Sequence, residues 1–179
     1  SACPPPIEDA HLIDISPTLS PRIAVWPGDT AFSRTVNVSI ADGANIDLSE
    51  VRSTVHVGAH TDAPSHYTRG GATIEARPLS RYYGDCLVVS VAVPRGARVL
   101  PRHLPDAIRG SARLPGRLLL HTGTFPNPDQ FTTDFASLSP DLVDFLADRH
   151  VLLIGIDTPS VDPFEDAALQ SHTAIARRD

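Results

Sequence analysis

Apolar and polar positions alternate over short stretches of this chain, and the period of the alternation changes along it. In VRSTVHV (51–57), Val51, Ser53, Val55 and Val57 face one way while Arg52, Thr54 and His56 face the other. That period of two predicts a strand. HLIDIS (11–16) and SRTVNVSI (33–40) predict two more short strands. CLVVSVAV (86–93) and RLLLH (117–121) are nearly continuous apolar runs, the pattern of strands covered on both faces. Cys86, at the head of the first run, reads as inert core. The period becomes helical in SPDLVDFLADRH (139–150). There Ser139 is a candidate N-cap, Pro140 takes the first helical position and Asp141 favours the positive end. Leu142, Val143, Phe145 and Leu146 form the apolar stripe. VLLIGID (151–157) follows as a buried strand, and a helix feeding a buried strand predicts an α/β fold, a single domain with a mixed sheet.

Composition narrows the picture. A chain of 179 residues is long enough for one domain with a real core and short for two. Residues 1–10, with their run of three prolines, read as a flexible N-terminal segment, and residues 11–179 as the folded domain. The longest apolar runs fall far short of the ~20 residues of a membrane span. The net charge is −6 and all 15 basic residues are arginine, scattered rather than clustered. A nucleic-acid partner, which would call for a basic stripe, is therefore disfavoured. With only Cys3 and Cys86, and Cys3 in the Pro-rich terminus, no structural disulfide is expected, and the chain reads as an intracellular (cytoplasmic) protein. SACPPPIEDA carries no basic stretch ahead of an apolar one, so it does not read as a secretory leader.

One segment stands apart. HVGAHTDAPSHY (56–67) places His56, His60, Asp62 and His66 within eleven positions. Neutral imidazole and carboxylate are the preferred ligands of Zn²⁺ and also suit Mn²⁺ or Fe²⁺. Gly58 argues against a helix here, but it allows a tight turn that folds His60 back toward His56. Asp62 has two oxygens and can bridge two metals. Pro64 stiffens the loop, and His66, beyond the ligand set, is placed to move protons. The alternative is a solvated polar loop.

The segment resembles the H-x-G-T-H-x-D-x-P-x-H signature of the metal-dependent cyclase/hydrolase family, which includes bacterial kynurenine formamidase (arylformamidase) and isatin hydrolase. VWPGDT (25–30) and LIGIDTPSVDP (153–163) point toward the formamidase branch. Ala59 stands where threonine is commoner, at a position that is not a ligand. The resemblance implies a swivelling β/β/α fold and a homodimer or higher oligomer. It implies a two-metal centre, zinc or else manganese, with His56, His60 and Asp62 as ligands and Asp62 bridging. His172 would be a further ligand of the second metal, and His66 the catalytic acid/base. The family's last glutamate ligand would fall past Asp179, and the chain contains no methionine, so a chain continuing beyond Asp179 is expected. The activity implied is hydrolysis of the formamide of N-formyl-L-kynurenine to L-kynurenine and formate. The rivals are a relative acting on isatin or another small cyclic amide or ester, and a catalytically silent metal-binding homologue.

Other residues carry lesser expectations. The resemblance makes Trp26 a stacking wall for an aromatic amide substrate; otherwise it packs in the core. Arg52, Arg69 and Arg81 are candidates for the substrate's amino-acid end by nearness to the motif alone. His121 reads as a structural histidine, while Asp157 either lines the site at a strand end or caps a turn with Thr158 and Pro159.

Overall fold

The computed structural model describes residues 13–178, and within it the chain divides into two compact units, Ser1–His60 and Thr61–Asp179. Residues 1–10, Cys3 and His11 lie outside the described residues.

In the first unit, Ser33–Val38 (β1) and Leu48–Arg52 (β2) form an antiparallel pair, with Ser33 opposite Arg52 and Val38 opposite Leu48. The register shifts between Val36 and Val38, a bulge. The turn at Ile40–Asp42 begins where Ser39 Oγ accepts from the Ala41 amide and closes at Gly43, whose φ of +92° suits only glycine well. Arg34 Nε donates to Ser49 Oγ across the strands at 3.0 Å. Among the described residues of this unit, Ile23 is the buried hydrophobic one.

The second unit carries the larger core. Its elements in chain order are Pro64–Tyr67 (α1), Cys86–Ser90 (β3), Arg98–Val99 (β4), Asp106–Arg109 (α2), Arg117–His121 (β5), Ser137–Leu138 (β6), Pro140–Ala147 (α3), Leu153–Ile156 (β7) and Gln170–Arg178 (α4). Strands β3, β5 and β7 form a parallel sheet in that order, and β4 pairs with β6, also parallel. As predicted, α3 starts at Ser139, whose Oγ accepts from the Leu142 amide at 3.1 Å, with Pro140 at its first position. Its stripe of Leu142, Val143 and Leu146 is buried with Leu118, Leu120 and Leu138. Each fully buried leucine contributes roughly 1.5–3 kcal/mol. Phe145 is only partly buried, and the Arg149 guanidinium lies 3.5 Å from its ring centroid.

The α/β class holds, with parallel and antiparallel pairing in separate sheets. Three local expectations do not. Residues 13–16 of HLIDIS form no strand; Asp14 Oδ1 instead accepts from the Ser16 amide at 2.9 Å, and Ile13 and Ile15 are exposed. The strand expected over 51–57 ends at Arg52, opposite Ser33, the first residue of β1; beyond it the Thr54 amide still bonds to the Thr30 carbonyl at 3.0 Å, but the regular ladder does not continue. Cys86 is exposed, since β3 lies at the edge of its sheet and buries Val89 while exposing Val88.

Candidate functional site

In the first unit, the glycine of the motif does what its sequence position suggested. Gly58 has φ +60°, and a Cβ there would lie 2.7 Å from Leu19 Cδ2. The turn it makes brings His60 Nε2 to 3.2 Å from His56 Nδ1, the rings standing edge to face at 76°. His60 Nδ1 lies 2.9 Å from the Gly58 carbonyl oxygen. A carbonyl only accepts, so Nδ1 carries the proton and Nε2 presents a lone pair. Two nitrogens bound to one tetrahedral zinc at its usual bond lengths would stand about 3.3 Å apart. The donor set and the spacing therefore fit a divalent cation.

VWPGDT folds into a turn just ahead of this pair. The Asp29 amide donates to the Trp26 carbonyl at 2.9 Å, and the Thr54 amide donates to the Thr30 carbonyl at 3.0 Å. The Thr54 hydroxyl, then the Thr30 amide, hold the Asp29 carboxyl below the ordinary range, and His56 adds to the effect. Trp26 is 36 % exposed.

In the second unit, Pro64 opens the single turn α1, which carries His66 and Tyr67. Asp62 and His66 offer ligand atoms within 4.8 Å of one another. The rings of His66 and His172 are 5.9 Å apart, and those of Tyr67 and His172 5.7 Å. His172 is buried on α4, and its Nδ1 lies 2.8 Å from Oδ2 of Asp162, a carboxylate with no exposed surface. The carboxylate also accepts from the amides of Ser171 (2.7 Å) and His172 (3.0 Å). Burial by itself would raise the pKa of Asp162. The hydrogen bonds from His172 and Ser171 outweigh it and hold the group well below the usual carboxylate range. Here too the ring's Nδ1 carries the proton and its Nε2 presents a lone pair, the usual arrangement of a metal-binding histidine.

The Cyclase family model matches residues 13–163. The chain belongs to the cyclase family. Among curated members, the kynurenine formamidase of Bordetella petrii is 42% identical over 169 residues, 94% of this chain and 79% of its own length. That of Bordetella pertussis is 40% identical over the same shares, and that of Polaromonas naphthalenivorans 39% over 92% of this chain and 71% of its own. Among solved structures, a potential metal-dependent hydrolase with cyclase activity aligns with a TM-score of 0.73 at 22% identity, over 93% of this chain and 76% of that one. An isatin hydrolase bound to a product analogue, thioisatinate, aligns with a TM-score of 0.75 at 15% identity, over 93% and 75%. These two likenesses show the fold.

Not every candidate residue of this cyclase-family chain sits where its sequence context suggested. Asp157 caps a turn, but not its own: it accepts from the Thr122 amide and hydroxyl and from the Gly123 amide at 2.7–3.0 Å. His121, at the end of β5, is exposed, with Ser90 Oγ 3.5 Å from its Nδ1. Sequence reasoning missed Asp162, although LIGIDTPSVDP contains it. It also missed Arg98, whose guanidinium reaches Asp162 at 3.0 Å and Asp166 at 2.5 Å.

Proposed function

We propose that this chain hydrolyses the formamide of N-formyl-L-kynurenine to L-kynurenine and formate. The observation that carries the reading is the HVGAHTDAPSHY segment with His60 turned by the Gly58 carbonyl to present Nε2, in a chain 38–42% identical to curated kynurenine formamidases over 94% of its length. Of the expected ligands, His56, His60, Asp62 and His172 would hold the metal, zinc or manganese at two ions per subunit. A divalent cation bound by imidazole and carboxylate supplies Lewis acidity, which polarises the formyl carbonyl and acidifies water.

The chain's own groups do the rest. His66 takes the proton of the attacking water as the oxygen bonds to the formyl carbon. It returns that proton to the aniline nitrogen as the C–N bond breaks, releasing the free arylamine and formic acid, which ionises to formate. Trp26, partly exposed beside the Gly28 turn, is the proposed stacking wall for the substrate's ring. Arg52, Arg69 and Arg81 remain the candidates for its carboxylate. The reading includes self-association as a homodimer or higher oligomer. A lone two-stranded hairpin is marginal in water, and Val36, Leu48 and Val51 of β1 and β2 are 49–60 % exposed.

Metal content by elemental analysis, paired with turnover of N-formylkynurenine and of isatin before and after chelation, tests the proposal. The expected result is zinc or manganese in the protein and chelator-sensitive turnover of the formamide well above that of isatin. Preference for isatin would move the substrate elsewhere in the family, and chelator-insensitive turnover would overturn the metal reading.

A further inference from the structure

We propose that Asp162 is a positioning residue for metal binding: it locks His172 in the Nδ1–H tautomer, so that Nε2 is held out as a donor, and Arg98 anchors Asp162 in turn. The inference rests on His172 being a ligand, as argued under the proposed function.

A neutral imidazole can carry its proton on either nitrogen, and only the nitrogen without it can bind a metal. The carboxylate of Asp162 cannot donate, so it forces the proton onto Nδ1, 2.8 Å away. Neither oxygen is free to swing. Oδ2 accepts from the ring and the amide of His172, and Oδ1 accepts from the Ser171 amide at 2.7 Å and from Arg98 Nη1 at 3.0 Å. Arg98 is itself fixed: Nη1 also donates to the Leu138 carbonyl (2.6 Å) and the Ser171 hydroxyl (2.9 Å), and Nη2 donates to Asp166 (2.5 Å). The second rotational freedom of the ring, its plane, is limited by His66 and Tyr67, whose rings meet it at 65° and 51°. With Asp162 wholly enclosed, no bulk water stands ready to replace a lost partner. A plainer role is available, since the same oxygens cap the first amides of α4. A cap alone would alter stability without controlling which ring nitrogen holds the proton.

The test uses the full chain labelled with ¹⁵N-histidine. Long-range ¹H–¹⁵N spectra of the metal-free protein, with the His172 signal assigned by its loss in His172→Ala, report the tautomer directly. The expected result is Nδ1–H in the wild type and a shift toward Nε2–H in Asp162→Asn, whose amide can offer Nδ1 a donor. Zinc titrations against a chromogenic chelator accompany the spectra. Asp162→Asn should weaken the weaker zinc site by roughly 10–100-fold, and Ser139→Ala, which removes the cap of α3 but no group that bonds to Arg98, Asp162 or His172, should leave tautomer and affinity as in the wild type. Nε2–H in the wild-type protein overturns the inference whether or not the variant folds. Weak zinc binding in His172→Ala with normal binding in Asp162→Asn overturns the positioning role and spares the ligand. Unchanged zinc binding in His172→Ala removes the ligand reading and this inference with it.

Discussion

Gly71 and Pro64 touch backbone to backbone: a Cβ on Gly71 would lie 2.6 Å from both the carbonyl carbon and the carbonyl oxygen of Pro64, and 2.9 Å from the Ser65 amide nitrogen. The neighbouring Ala72 carbonyl accepts from that same Ser65 amide at 3.1 Å. Nothing in this contact can yield without moving α1, the turn that carries His66. Gly71→Ala should therefore cost about 1–3 kcal/mol, the range of an overpacked site, and lower turnover as well. Urea unfolding and steady-state kinetics check both, and a variant equal to wild type in both would show that the turn tolerates displacement.

His66 is exposed, so removing its ring leaves no cavity to destabilise the fold. His66→Ala should lower turnover of N-formylkynurenine by about 10²–10⁴-fold, the usual contribution of a positioned acid/base group. Its melting temperature should match the wild type. A variant with near-normal turnover would move the proton-transfer role to another residue.

Ser139 is buried at the start of α3, and its hydroxyl accepts the Leu142 amide. Ser139→Ala leaves that amide without its cap and should cost about 0.5–2 kcal/mol. Since the change lies among core residues rather than in the motif, turnover per folded molecule should stay the same. Denaturant midpoints and specific activity separate the two effects.

Arg95 hydrogen bonds to both oxygens of Asp134 at 2.6 Å. That contact, above all, holds the Asp134 carboxyl down at about 2, against an ordinary 3.8. The folded state thus binds its proton less readily than the unfolded chain. The pair's contribution to stability is complete above the ordinary value and is lost as the pH falls toward the folded one. Asp134→Asn should accordingly show a shallower loss of stability than the wild type between about pH 4 and 2, measured as unfolding free energy against pH. Parallel slopes would show that the pair does not set the acid limb.

What was legible in the sequence was local. Ser139 and Pro140 mark the start of α3 because capping depends on residues within one turn. Gly58 turns His60 back on His56 because the geometry is confined to five residues. The strand expected across Val51–Val57 failed for a reason that a repeat of two cannot carry. A strand extends only while a partner runs beside it, and beyond Arg52 the bond from the Thr54 amide to the Thr30 carbonyl is followed by the Trp26–Asp29 turn of the opposite chain, with Gly28 at φ +91°. Cys86 failed similarly, since an apolar run does not say whether its strand will lie at the edge of a sheet. Asp162 sat in plain view within LIGIDTPSVDP, but its role depends on Arg98, 64 residues earlier, and no spacing rule links the two.

That same reach bears on how the protein is made. Arg98 closes on Leu138, Asp162 and Ser171 across 40, 64 and 73 residues of chain. A ribosome delivers His56, His60, Asp62 and His66 well before it delivers the residues that fasten His172. Loops so long close late and only once their far ends exist. The young polypeptide therefore carries the motif for a time before His172 has anything to hold it, and the site matures only after the stretch that bears Asp162 and Ser171 has been made.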